Sequence, residues 1–200
     1  MTERLTRSQQ RERTVQRLLD SAEELFAERG IHQTSLDQVA AAAGLTKGAV
    51  YANFGGKNDL IAALLQRRLE DDGPVREPGS LRSWIDMLGD SYESSVPRPE
   101  TRRFAMAFVE LWLIGMRDQG HRDALRTWLR TVREHHAREV RALGDDLPLP
   151  PAEAAALLMA LDIGIGLQFM TDPEAVPAQT YTRGVEALLG VRRAGGSVPR

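Results

Sequence analysis

The sequence predicts an all-α protein: an N-terminal helix-turn-helix domain of three helices followed by a larger C-terminal helical bundle, about nine helices in all. Three observations carry this expectation. Apolar residues recur at three- and four-residue spacing through nearly the whole chain, and no stretch keeps the alternation of a half-buried strand. Gly and Pro stand between the periodic segments, at Gly30, Gly44, Pro97, Pro99 and through the run Gly144 to Pro151. The stretch Thr34 to Leu60 reads as two short helices and the start of a third, set around one glycine corner.

In that stretch Ser35 can accept a backbone hydrogen bond at a helix start, and Gln38 stands three residues on to complete a capping box. Leu36, Val39, Ala40 and Ala43 then share one face. Gly44 supplies the left-handed residue that stops the helix, with Leu45 folding back as its apolar contact. Thr46 can cap the next helix. Val50 and Phe54 point inward, whereas Lys47, Gly48, Ala49, Tyr51 and Asn53 are left for the outer side. Such an arrangement offers the tip of a second helix to the DNA major groove.

The flanking elements follow in order. Residues 1 to 13 are polar, with Arg4, Arg7, Arg11 and Arg13 against Glu3 and Glu12, and their first few positions read as a mobile arm. Val15, Leu18, Leu19, Ala22, Leu25 and Phe26 mark an amphipathic helix from about Ser8 to Arg29, stopped by Gly30. Its arginine-rich start would lie near a phosphate backbone if the motif docks on DNA. Leu60, Ile61, Leu64, Leu65 and Leu69 mark a helix from Gly56 that ends at Asp71-Asp72-Gly73-Pro74, and the stretch to Gly79 reads as a connection. Lys57 falls in its first turn, where free N–H groups favour an anion, and reads as a phosphate clamp. Gly56 leaves that helix start without a capping oxygen.

Further helices are expected at Ser80 to Ser95, Glu100 to about Arg117, Arg122 to Leu143, Pro151 to about Met170 and Ala178 to Leu189, with Gly120 as punctuation and a frayed tail from Gly190. The apolar run Ala154 to Met170 is short for a membrane span and carries Asp162, so it reads as a buried helix.

Composition sets the bounds. Two hundred residues can bury a sizeable core, and a net charge of −2 means that any DNA contact must come from a local patch. Cysteine is absent, which removes disulfides and thiolate metal sites and suits a reducing cytoplasm. The polar N-terminus has no apolar stretch of signal-peptide type.

Leu36-Asp37-Gln38-Val39-Ala40, Ala43-Gly44-Leu45-Thr46-Lys47-Gly48, Val50-Tyr51, Phe54 and Lys57 together resemble the N-terminal domain of TetR-type transcriptional repressors, over about the first 70 residues. Beyond them only the helical layout is similar. TetR-like sequences often place Ser, Asp or Asn where this chain has Gly56. The resemblance implies a DNA-binding domain at 1–57, a connecting helix at about 56–72, and a ligand-binding and dimerisation domain at 73–200. Its partners would be a double-stranded DNA operator, a second copy of the chain and a small-molecule effector, with no cofactor and no membrane.

The expected DNA contacts are Thr34, Ser35, Thr46, Lys47, Gly48, Ala49, Tyr51, Asn53 and Lys57. Thr46, Tyr51 and Lys57 would grip phosphates, while Lys47, Gly48, Ala49 and Asn53 sit where base edges could be reached. A dimer surface is expected at Ala156, Ala160, Gly164, Leu167 and Leu188, although an intramolecular core explains these small and apolar faces equally well. Trp84, Met87, Phe108, Trp112, Met116, Trp128, His135, Met159 and Asp162 could line a cavity for an apolar or aromatic molecule, or could simply fill a core. By resemblance, binding there would swing the fourth helix and release the operator.

The rival readings are an enzyme, a helical protein-binding adaptor and an effector-independent regulator. His135 and Glu139 have a metal-ligand spacing, but no third ligand stands nearby. His121-Arg122-Asp123 lacks any glycine-rich phosphate loop, and Gly164 and Gly166 lie within a helix and not after a strand.

Overall fold

The computed structural model describes residues 6–71, 79–144 and 146–191, with side chains 69–71 outside that description. The arm at residues 1–5, the connection at 72–78 and the tail from residue 192 lie outside the described residues. Nine helices and no strand are found among those described: α1 Arg7–Arg29, α2 Leu36–Ala42, α3 Lys47–Tyr51, α4 Lys57–Asp71, α5 Leu81–Ser95, α6 Pro99–Gly115, α7 Gln119–Ala142, α8 Pro151–Thr171 and α9 Gln179–Leu188. The chain forms two compact units, Met1–Gly73 with Arg103–Trp128, and Pro74–Arg102 with Leu129–Arg200.

Local chemistry sets the boundaries. α1 begins one residue before the expected Ser8 because Thr6 and Gln9 form a capping box: the Thr6 hydroxyl accepts from the Gln9 N–H at 3.3 Å, and the Gln9 side-chain oxygen accepts from the Thr6 N–H at 2.8 Å. α6 starts on Pro99, whose missing N–H costs nothing in a first turn. α7 starts at Gln119 and not at Arg122. The Asp118 carboxylate accepts from the His121 N–H at 2.9 Å, so Gly120 sits inside the first turn instead of ending a segment. The bonds from His121 hold the Asp118 carboxyl below its ordinary value.

The first unit is built on α1, which packs against α2 and α4, while α2 packs on α3. Leu18, Ala22, Phe26, Val39, Val50 and Leu60 are its buried centre. The second unit pairs α5 with α9 and α8 with α9. Trp84, Ile85, Val140, Leu158 and Val185 fill its core, and Tyr92 stacks on Tyr181 with ring centroids 4.1 Å apart. Burial pushes both phenol groups above their ordinary value. Glu186, 5% exposed, is met by Arg82 at 3.0 Å. α8 is long and apolar enough by composition to cross a membrane, yet Ala154, Ala155, Leu158, Met159, Ile165 and Gly166 are buried within the second unit.

Trp84, which could line a cavity or fill a core, is 1% exposed at the centre of the second unit. Trp84→Ala should therefore cost about 3–5 kcal/mol of stability. A urea melt with an unchanged midpoint would contradict the placement.

Candidate nucleic-acid interface

The site begins with two caps and a corner. The Ser35 hydroxyl accepts from the Gln38 N–H at 3.2 Å, and the Gln38 side chain accepts from the Ser35 N–H at 2.8 Å, the expected capping box. At the other end of α2, Gly44 has φ +63°, and the Leu45 N–H reaches back to the Ala40 carbonyl at 2.9 Å. The Arg17 guanidinium of α1 donates to the Ala43 carbonyl, fixing the corner to the helix beneath it. Thr46 caps α3 by accepting from the Ala49 N–H at 3.3 Å. Val50 is fully buried and Phe54 nearly so, which turns the opposite side of α3 outward.

What that outer side carries is polar or small. Tyr51 is 57% exposed, and the Lys47 side chain 72% exposed. The Lys47 ammonium pairs with Asp37 of α2, which raises its pKa above the ordinary value. An ion pair this exposed is weak and can be exchanged for a phosphate or a base edge. Gly48 is exposed, and a Cβ added there would meet only the Thr46 hydroxyl, at 3.8 Å. Nothing inside the protein requires a glycine at this position.

One of the expected contacts is corrected by the structure, and two more make hydrogen bonds inside the protein. Thr34 is 1% exposed, and its hydroxyl donates to the Gly30 carbonyl at 2.8 Å, so it braces the corner between α1 and α2. Asn53 spends its amide internally: its nitrogen donates to the Ala49 carbonyl at 2.8 Å, and its oxygen accepts from the Arg11 Nε at 3.1 Å. Asn53 therefore presents an arginine from α1 beside the recognition helix. Lys57, expected to reach outward, donates to the Ile31 carbonyl at 2.8 Å. Burial lowers its pKa, against an opposing pull from Glu110.

Glu110 completes this arrangement. Its carboxylate accepts from the Ile31 N–H at 2.7 Å and from the His32 N–H at 3.0 Å, at the turn where Gly30 has φ +86°. A Cβ on Gly30 would lie 2.8 Å from that carboxylate. At the first turn of α4, where Gly56 offers no capping oxygen, Asp59 accepts from the Gly55 N–H at 2.9 Å.

The expected cavity residues are divided between the two units. Phe108, Trp112, Met116 and Trp128 belong to the first unit; Trp84, Met87, His135, Met159 and Asp162 belong to the second. Phe108 contacts Trp112 edge-on at 5.4 Å and Trp128 at 5.0 Å, whereas Met116 is 64% exposed. Met159 is 6% exposed and part of the interior. His135 and His136 flank the buried Glu139 at 3.6 and 3.3 Å, and among the described residues no cluster of three metal-ligating side chains is found.

The head thus has the build of a helix-turn-helix DNA-binding domain. Residues 18–64 match the family model for bacterial regulatory proteins of the tetR family, and residues 75–190 match that of the C-terminal domain of BetI-type transcriptional repressors. The second match alone covers more than half of the chain, and the chain belongs to the tetR family of transcriptional regulators. Among curated relatives, the transcriptional regulator SrpR of Pseudomonas putida is 36% identical over 101 residues, 49% of this chain and 46% of that protein. The repressor SCO4008 of Streptomyces coelicolor is 33% identical over 67% of this chain and 65% of its own length. The chain thus spans about half to two thirds of these relatives' length. Among solved structures, NalD of Pseudomonas aeruginosa, a secondary repressor of the MexAB-OprM multidrug efflux pump, is 26% identical with a TM-score of 0.65, covering 92% of this chain and 98% of that one. The family and these relatives are transcriptional regulators, not enzymes.

Glu110→Ala would strand two backbone donors, Ile31 being 2% exposed, and should cost about 1–3 kcal/mol. Equilibrium unfolding in urea measures it, and a loss of only a few tenths would show that water replaces the carboxylate.

Proposed function

We propose that this regulator is a homodimeric repressor, acting in the cytoplasm, that leaves its operator when a small apolar or aromatic effector binds. The observation that carries DNA recognition is the outer side of α3: Lys47, Gly48 and Tyr51 are exposed and serve no packing role, and Arg11 is held beside them by Asn53. Phosphate contacts would fall to Thr46, Tyr51 and Arg11 and to the start of α2 at Ser35. Base edges would be met by Lys47, Ala49 and the backbone at Gly48. Residues 1–57 read the DNA in this account, α4 connects, and 73–200 dimerises and takes the effector.

The dimer rests on α8. Ala156, Leu157, Ala160 and Leu167 are exposed, Gly164 half-buried, in a stripe at helical spacing, with Leu188 half-buried on α9. A Cβ on Gly164 would meet nothing within 4 Å, so its own chain has no use for a glycine there. A second helix laid against the stripe would. Two heads so joined could address half-sites a helical turn apart. The effector reading draws on NalD, whose regulated pump exports many drugs, and on the apolar interior of this chain.

Titrating a selected genomic duplex against salt tests the DNA claim. Affinity should fall steeply as salt rises, and Lys47→Ala should flatten the log–log slope by about one unit. Binding that ignores salt would refute it. Gly164→Trp should convert the dimer to monomer in sedimentation while circular dichroism stays helical, and a persisting dimer would place the interface elsewhere.

A further inference from the structure

Asn53 and Arg11 are joined across the head in a way that the packing of α3 does not require. Asn53 is half-buried just after α3, and Arg11 is exposed on the second turn of α1, 42 positions earlier. The Asn53 amide nitrogen donates to the Ala49 carbonyl at 2.8 Å, and its oxygen accepts from the Arg11 Nε at 3.1 Å. A carbonyl can only accept and a guanidinium can only donate, so a single orientation of the amide satisfies both. The amide is thus anchored on α3 and turns its oxygen toward α1.

That contact uses one N–H of the guanidinium. Arginine carries five, and its terminal nitrogens form the fork that fits a phosphate. Holding the group through Nε leaves that fork for an anion. A long side chain loses several rotamers when it grips a phosphate, and one that is already held loses fewer. α1 and α3 belong to the same compact unit. Arg11 precedes residues 18–64, the segment that carries the family match, so its pairing with Asn53 brings in a position outside that match.

We propose that Asn53 is a positioning residue for DNA binding: without touching the duplex, it holds Arg11 as a phosphate donor in fixed register with the tip of α3. The role rests on the DNA-binding reading above. Phosphate contacts set register and carry no sequence information, so a held Arg11 fixes where α3 lies along the groove.

A double-mutant cycle on the duplex selected above, with the full chain, tests this. Asn53→Ala should weaken binding about fivefold when Arg11 is present, and less than about twofold in the Arg11→Met background. Arg11→Met alone should flatten the log–log salt slope by about one unit. Equal losses from Asn53→Ala in both backgrounds would mean that Asn53 meets the DNA itself, and would overturn the proposal. An unchanged slope in Arg11→Met overturns it too. Magnetic relaxation of the arginine Nε groups gives a reading in the free protein. Arg11 should be more ordered than Arg13, exposed on the same helix, and should become as mobile as Arg13 in Asn53→Ala. Equal mobility of the two in the unaltered protein overturns the proposal whether or not the variants fold. An ordered Arg11 in a chain that binds no duplex would instead bring down the DNA-binding reading itself.

Discussion

The corner between α1 and α2 hangs on two charges that come from elsewhere in the chain. Glu110 of α6 accepts the N–H groups of Ile31 and His32, and Lys57 of α4 donates to the Ile31 carbonyl. Both backbone groups of Ile31 are thus satisfied by side chains. A carboxylate on donors and an ammonium on an acceptor are the charge-assisted combinations, stronger than their neutral counterparts. Only a glycine can precede them, because residue 30 needs a positive φ and approaches the carboxylate too closely for a Cβ.

This fixing determines what is left for DNA. With Thr34 buried under the corner and Arg17 on the Ala43 carbonyl, α2 and α3 have little freedom to tilt, so the tip of α3 is presented on a rigid base. Lys57 and Asn53 act by holding that base and by aiming Arg11. The positions left unemployed inside the protein are Gly48 and Tyr51, together with a Lys47 tied only by an exposed ion pair. Gly48 stands in the first turn of α3 with open space around it, so a DNA backbone or base edge could approach it closely. Gly164 on α8 invites the same argument for a second protomer.

The elements and the head were legible in the sequence because their signals are local. The capping box of Ser35 and Gln38 and the stop at Gly44 each lie within six residues, and apolar periodicity placed all nine helices to within three residues at their starts. The side-chain roles were less legible because they depend on distant partners. Glu110 meets Ile31 across 79 positions, and no feature of the stretch from Phe104 to Gly115 signals that contact. Lys57 shows the same dependence: its place in a first turn suggests an anion, and its ammonium also donates to a carbonyl 26 positions earlier. The aromatic and methionine residues of the middle helices could not be sorted into core and cavity from spacing alone, and they divide between two units.

The account turns on the Ile31 and His32 amides being held by Glu110, and their hydrogen exchange in the intact protein reads that directly. Exchange as slow as that of the helical amides of α1, such as Phe26, is the predicted result. Exchange at the rate of an open turn would mean that the corner is not clamped, and the rigid base proposed for the recognition helix would go with it.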